Sequence, residues 1–240
     1  MAWRSVGVIG LCGALSVLIP EAALAQLAHP GYSGLISTPD ATVLPQGQIA
    51  LGFTLLEGPN SYLFTPKSNR IYAITVGILP GLEATLRQTQ VIGWHDPEAP
   101  GVKHAFDRMF SAKYAIPLPE GYPQLAFGMQ DIASGNFLSG FKNAKPGATQ
   151  YGQSTLYGVV GSKYSNWAWH GGFGASQAFI NGIFAGISYK PIENVYFLGE
   201  WDSQGFNWGV HISPFQALVI QVSTMKFDTW AVGASAQINL

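Results

Sequence analysis

Alternation with a period of two dominates this chain. Between Arg70 and Gln90, Tyr72, Ile74, Val76 and Ile78 fall on one side, and Ala73, Thr75 and Gly77 on the other. Pro80-Gly81 then marks a turn. Beyond it Leu82, Ala84 and Leu86 share one face, while Glu83, Thr85, Arg87 and Thr89 share the opposite one. One apolar face and one small or polar face at this period describe a strand whose two sides meet different surroundings. The unit recurs and predicts twelve strands, over 48–56, 70–79, 82–93, 107–117, 124–131, 154–164, 167–177, 183–190, 195–202, 205–213, 218–226 and 229–240. In the last of these, Trp230, Val232, Ala234, Ala236, Ile238 and Leu240 oppose Ala231, Gly233, Ser235, Gln237 and Asn239. No segment with helical period and caps interrupts the series.

The connections alternate in length. Pro80-Gly81, 117–123, Ser165-Asn166, 191–194 and 214–217 are short, whereas 57–69, 94–106 and 132–153 in the other set are long. Short turns at one end, longer loops at the other and an even strand number predict an all-β fold, an antiparallel up-and-down transmembrane β-barrel of twelve strands. Aromatic residues gather near both ends of the strands, as interfacial girdles do: Tyr72, Trp94, Trp201, Phe206, Trp208 and Trp230 at one, Tyr164, Trp167, Trp169 and Tyr189 at the other.

Composition sharpens that reading. Charged residues make up 10% of the chain, against about 25% in a typical soluble domain, too few to cover a soluble globule of this size. Residues 1–25 carry a short positive start, an apolar run and Ala23-Leu24-Ala25, and are expected to be a cleaved signal peptide. The single cysteine, Cys12, lies inside it, so the mature chain has no disulfide or thiolate chemistry. After residue 25 no apolar run approaches the ~18 residues of a membrane helix. Lipid is therefore met by strands. Residues 26–47, rich in Gly, Pro and Thr, read as an extended lead-in serving either as a plug or as a periplasmic docking segment, and 48–240 as the barrel. A formal net charge of -1 gives no argument for nucleic acid.

The sparse strand charges fall on the inward parity: Glu83, Arg87, Lys113, Lys163, Lys190 and Glu200. A cation on the lipid face near the midplane would cost about 2–4 kcal/mol, and the pattern avoids it. Two readings follow for this lining: it guides or gates a solute, or it forms a structural ion-pair network closing a small barrel. The network is the more economical. Glu83 and Glu200 are expected to be salt-bridged near Arg87 and Lys113 rather than catalytic.

No catalytic or metal site is expected. The five histidines (His29, His95, His104, His170, His211) lack ligand spacing and read as unconnected. His95, Asp96, Glu98, His104 and Asp107 share one long loop, where solvation explains them. Gly171-Gly172-Phe173-Gly174 lies in a strand with no helix after it, which removes the phosphate-cradle mechanism. No cofactor is implied.

Three blocks resemble the YjbH-type proteins, known as exopolysaccharide biosynthesis or export proteins of the outer membrane. The first is 31–53, with Gly34-Leu35-Ile36, Thr38-Pro39-Asp40-Ala41 and Gly47; the second is 78–93, with Pro80-Gly81. The third is 106–140, with Asp107, Lys113, Gly128, Asp131 and Ile132. The resemblance covers about 31–164, and the strands beyond are generic. It implies an outer-membrane barrel accompanying polysaccharide machinery, with outer-membrane lipid, polysaccharide and export proteins as partners. Typical members are longer, so this chain is expected to be a single barrel unit with an accessory role. A small-solute pore, an outer-membrane hydrolase using Glu83 and Glu200, and a soluble secreted all-β protein are the alternatives.

Overall fold

The computed structural model describes residues 26–58, 68–92, 104–119, 121–132, 154–176, 180–215 and 217–240. The leader expected at residues 1–25, Trp94, His95, Asp96 and Glu98 fall outside what is described, whereas His104 and Asp107, expected in the same loop, lie instead in a strand that begins at His104 and pairs them with Ile92 and Thr89.

Twelve strands form: β1 (Gln48–Glu57), β2 (Asn69–Leu79), β3 (Leu82–Ile92), β4 (His104–Ile116), β5 (Gln124–Gln130) and β6 (Thr155–Tyr164). The second half is β7 (Trp167–Ala175), β8 (Gly182–Ile192), β9 (Val195–Trp201), β10 (Phe206–Phe215), β11 (Leu218–Met225) and β12 (Thr229–Asn239). Each pairs antiparallel with its sequence neighbours, and β1 closes the barrel on β12, with Gln48 opposite Asn239 and Glu57 opposite Trp230. Closure leaves no unpaired edge, the condition for a sheet to stand in hydrocarbon. Every expected strand is present, with ends shifted by no more than three residues.

The two faces sort as the alternation requires. Ile74, Leu86, Phe127, Phe197, Ile212 and Val232 are exposed on the outer surface, while Thr75, Thr85, Ser111, Ser188, Gln221 and Ser235 are buried within. Tyr72, Trp201, Phe206, Trp208 and Trp230 stand exposed toward the long-loop end, and Tyr164, Trp167 and Trp169 toward the short-turn end. Trp167 stacks on Tyr189 at 4.1 Å between ring centroids. The short turns use left-handed backbone at Gly81, Ser165 and Asn194.

An inner wall of small and polar side chains cannot make a hydrophobic core alone. Residues 26–46 complete it from inside. Leu35 and Ile36 join Leu56, Ile71, Leu198, Met225 and Ala231. Ala41 joins Ala126, Tyr157, Val159, Ile180 and Phe184, and Leu27 and Leu44 pack on Ala50. Small wall residues leave room for this chain. A Cβ on the inward Gly77 would sit 1.9 Å from the Pro45 oxygen, so the segment's return to β1 passes directly over that glycine.

Candidate functional site

The lumenal segment folds back on itself before reaching the wall. Bridges pair Leu27 with Ser33 and Gly34 with Pro39. Leu35 donates its amide to the Thr38 carbonyl at 3.1 Å, and Tyr32 donates its hydroxyl to the Ser37 carbonyl at 2.6 Å. Asp40 Oδ1 accepts from the Thr42 amide and hydroxyl at 2.9 and 2.7 Å, closing the turn that Pro39 opens. Gly34 is required by contact: a Cβ there would lie 2.2 Å from the Thr38 carbonyl oxygen. The Gly34-Leu35-Ile36 and Thr38-Pro39-Asp40-Ala41 elements are thus a compact knot of backbone, with Leu35, Pro39 and Ala41 all buried.

Two wall carboxylates hold this knot. Glu83 on β3 accepts from the Ser33 amide at 3.1 Å, from the Ser33 hydroxyl, and from the Leu44 amide at 2.9 Å. It therefore ties the outgoing and returning arms together. Glu200 on β9 takes the tip. It accepts from the amides of Ile36, Ser37 and Thr38 at 3.0, 2.8 and 3.2 Å, from both the Ser37 and Thr38 hydroxyls, and from Asn207 Nδ2 at 2.9 Å. Three consecutive amides converging on one carboxylate neutralise it with fixed dipoles, and bonds to a charged acceptor are about twice as strong as neutral ones.

Cations and imidazoles complete the grip. Lys113 Nζ on β4 lies 3.4 Å from Glu83 and 3.5 Å from Asp40, and donates to the Ser33 carbonyl at 2.7 Å. Glu83, Lys113 and Glu200 are each 1% exposed. His170 Nε2 meets the Thr38 hydroxyl at 3.0 Å, and His29 Nε2 meets the Ser223 hydroxyl at 2.6 Å. Gln221 Nε2 donates to the Leu35 carbonyl at 3.2 Å.

The six inward charges take different places. Glu83, Lys113 and Glu200 contact the segment, and Arg87 is buried beside Met109 Sδ. Lys163 and Lys190 stand at the short-turn rim, exposed and half-buried, with Lys190 Nζ 5.8 Å from the Tyr196 ring centroid. The expected pairing near Arg87 and Lys113 requires a correction. Glu83 does pair with Lys113, but Glu200 is met by amides, hydroxyls and Asn207, because the segment's tip occupies the space a cation would need. The histidines are likewise not unconnected: His29, His170 and His211 are all buried, and the first two bond across the lumen. Inward parity in β7 and β10 was the available signal for His170 and His211.

The remaining motif residues are structural. Gly47 donates its amide to the Gly77 carbonyl at 2.9 Å and accepts from the Leu240 amide at 2.8 Å, sealing the barrel's short-turn end. In the Pro80-Gly81 turn, the Gly81 carbonyl accepts from the Ala115 amide at 2.8 Å. Asp131 is buried in left-handed conformation at the end of β5, its amide on the Ser111 hydroxyl at 3.3 Å and its carbonyl on the Ser154 hydroxyl at 2.8 Å. Asp107 stands opposite Thr89 in the β3–β4 register. Among the described residues no group of histidine, cysteine, aspartate and glutamate could hold a metal ion.

Among solved structures, the outer membrane phospholipase A of Escherichia coli aligns at 10% identity, covering 83% of this chain and 95% of that one, with a TM-score of 0.43. The Salmonella typhi enzyme, a dimer with bound calcium, gives 10%, 82%, 92% and 0.43. Neisserial surface protein A gives 11%, 80%, 95% and 0.24. No curated protein matches the sequence. A family model, YjbH, described as exopolysaccharide biosynthesis protein YbjH, matches residues 26–240. That span runs past the three blocks read from sequence and takes in both the barrel and the segment inside it. The chain belongs to the YjbH family.

Proposed function

We propose that this protein is a bacterial outer-membrane barrel whose lumen is filled by its own N-terminal segment, and that it serves exopolysaccharide export or surface assembly without catalysing a reaction. The observation that carries the reading is the engagement of both buried wall carboxylates, Glu83 and Glu200, by backbone amides of residues 33–44. An open diffusion pore would leave such groups lining water. A hydrolase would need at least one of them free to meet substrate. Here both are occupied, mainly by the segment and otherwise by Lys113 and Asn207 of the wall, which favours a plugged, partner-coupled barrel over either alternative. Family membership supplies the link to exopolysaccharide, and the apolar outer band supplies the membrane.

The test is genetic and electrical. Deleting the gene should reduce cell-surface or secreted exopolysaccharide, and complementation with E83Q or E200Q should restore export less well than wild type. Purified wild-type protein in planar bilayers should give little steady conductance, and a variant lacking residues 27–44 should give more. Unchanged polysaccharide on deletion, or robust open-channel current from the wild type, would overturn the reading.

A further inference from the structure

A cavity of about 130 Å³ lies between the lumenal segment and the β5–β9 wall, opening at the short-turn end. Its lining includes Asp40 from the segment and Gln124, Lys163, His170, Ser188 and Tyr196 from the wall. Small residues hollow it out: Gly161 and Ala168 are part of the same wall. At its inner end stands His170, bonded to the Thr38 hydroxyl that also reaches Glu200. Lys163 is part of the lining at the cavity's outer end, and Lys190, just outside the lining, lies over the lining residue Tyr196 with its Nζ 5.8 Å from the ring centroid.

The rim is electropositive without internal compensation. Lys113 deeper in the lumen has Glu83 and Asp40, but among the described residues neither Lys163 nor Lys190 has a carboxylate within ion-pair distance. Glu193, in the adjacent turn, is exposed and pairs with neither. The lysines stand on β6 and β8 with β7 between them; Lys163 is in register with Ser188 through Ala168, and Lys190 lies two residues further along, a backbone separation of roughly 12 Å. The Tyr196 ring also packs against the Leu35 cluster. Two lysines without a carboxylate partner, one in the lining and one over its aromatic ring, together with the amide, hydroxyl and imidazole groups of Gln124, Ser188 and His170 in the same lining, suit a ligand carrying both a carboxylate and several hydroxyls. Pockets of this kind draw orientation from a few converging polar groups.

We propose that this vestibule binds an acidic saccharide unit, its carboxylate between Lys163 and Lys190 and its hydroxyls toward Gln124, Ser188 and His170. The inference deepens the exopolysaccharide reading and rests on it for the choice of a glycan over other anions. Because His170 touches Thr38, a bound saccharide would lie one side chain away from the Glu200 grip on the segment.

The experiment is calorimetric titration of the purified full chain in detergent with trigalacturonate, maltotriose and acetate at fixed ionic strength. Trigalacturonate should bind at least tenfold more tightly than either maltotriose or acetate. K163Q/K190Q should lose at least tenfold in trigalacturonate affinity, while K226Q, at the long-loop end, should not change it; heat-modifiable migration confirms that each variant is folded. Equal affinity for maltotriose, equal affinity for acetate, undiminished binding by the double variant or no trigalacturonate binding at all would overturn the site. A gene deletion that still abolishes exopolysaccharide while trigalacturonate fails to bind would remove this inference and leave the functional reading standing.

Discussion

Glu83 and Glu200 are both buried carboxylates gripping one chain segment, yet they are solved differently. Glu83 has a lysine 3.4 Å away and ties two arms of the segment, at Ser33 and Leu44. Glu200 faces three consecutive amides, two hydroxyls and Asn207, and the contacts that hold it are all to neutral groups. One site therefore balances charge with charge. The other balances charge with oriented dipoles, which a folded loop supplies only while it keeps its shape. The difference implies that the base of the segment is fixed by the wall, whereas the tip and the wall fix each other.

Removing the carboxylate at the ion-paired site should cost most, because Lys113 stays buried without its strongest partner. E83Q is expected to destabilise the protein by about 3–5 kcal/mol, the range for breaking a buried pair from one side. E83Q/K113M should recover a large part of that loss. Urea unfolding from lipid vesicles checks both, and a double variant as unstable as the single one would break the contrast. E200Q has no cation to orphan and should cost less, roughly 2–3 kcal/mol from weakened charge-assisted bonds, with the loss confined to amide protection at Ile36–Thr38. If Leu44 lost protection to the same degree, the two grips would be one unit. Placing a methyl group against the Thr38 carbonyl by G34A should cost about 1–3 kcal/mol through overpacking and loosen the tip before the base. T38V, which removes one hydroxyl shared between His170 and Glu200, is expected to cost about 1 kcal/mol, measurable as faster exchange at Ile36 and Ser37.

The wall was readable from sequence, whereas the lead-in was legible only as either a plug or a docking segment and its contacts were not, for a physical reason. Lipid outside and packed chain inside impose opposite chemistry on successive residues, so Tyr72 to Ile78 and Trp230 to Ile238 declare their facing by parity alone. The Pro80-Gly81 turn and the parity of Glu83, Lys113 and Glu200 follow from the same rule. Residues 26–46 obey no period. The wall side chains they hydrogen-bond lie 25 to 194 residues away, the extremes being Thr54 and Ser223, both on His29. What Glu200 recognises is backbone amide, which every residue but proline carries and no motif advertises. The pairing expected for Glu200 failed on that point, since side-chain chemistry suggested a cation where backbone geometry supplied the compensation. His170 and His29 show no ligand spacing because each serves as a single hydrogen-bonding post.

The segment lies inside the barrel with its amides on the two carboxylates. Hydrogen–deuterium exchange of the purified wild-type protein, resolved at Ser33, Ile36, Ser37, Thr38 and Leu44, tests that most directly. Protection at all five comparable to that of the β3 and β9 strand amides is the expected result, with E200Q releasing Ile36, Ser37 and Thr38 but not Ser33 or Leu44. Exchange of these five amides in the wild type at the rate of an unstructured chain would contradict it.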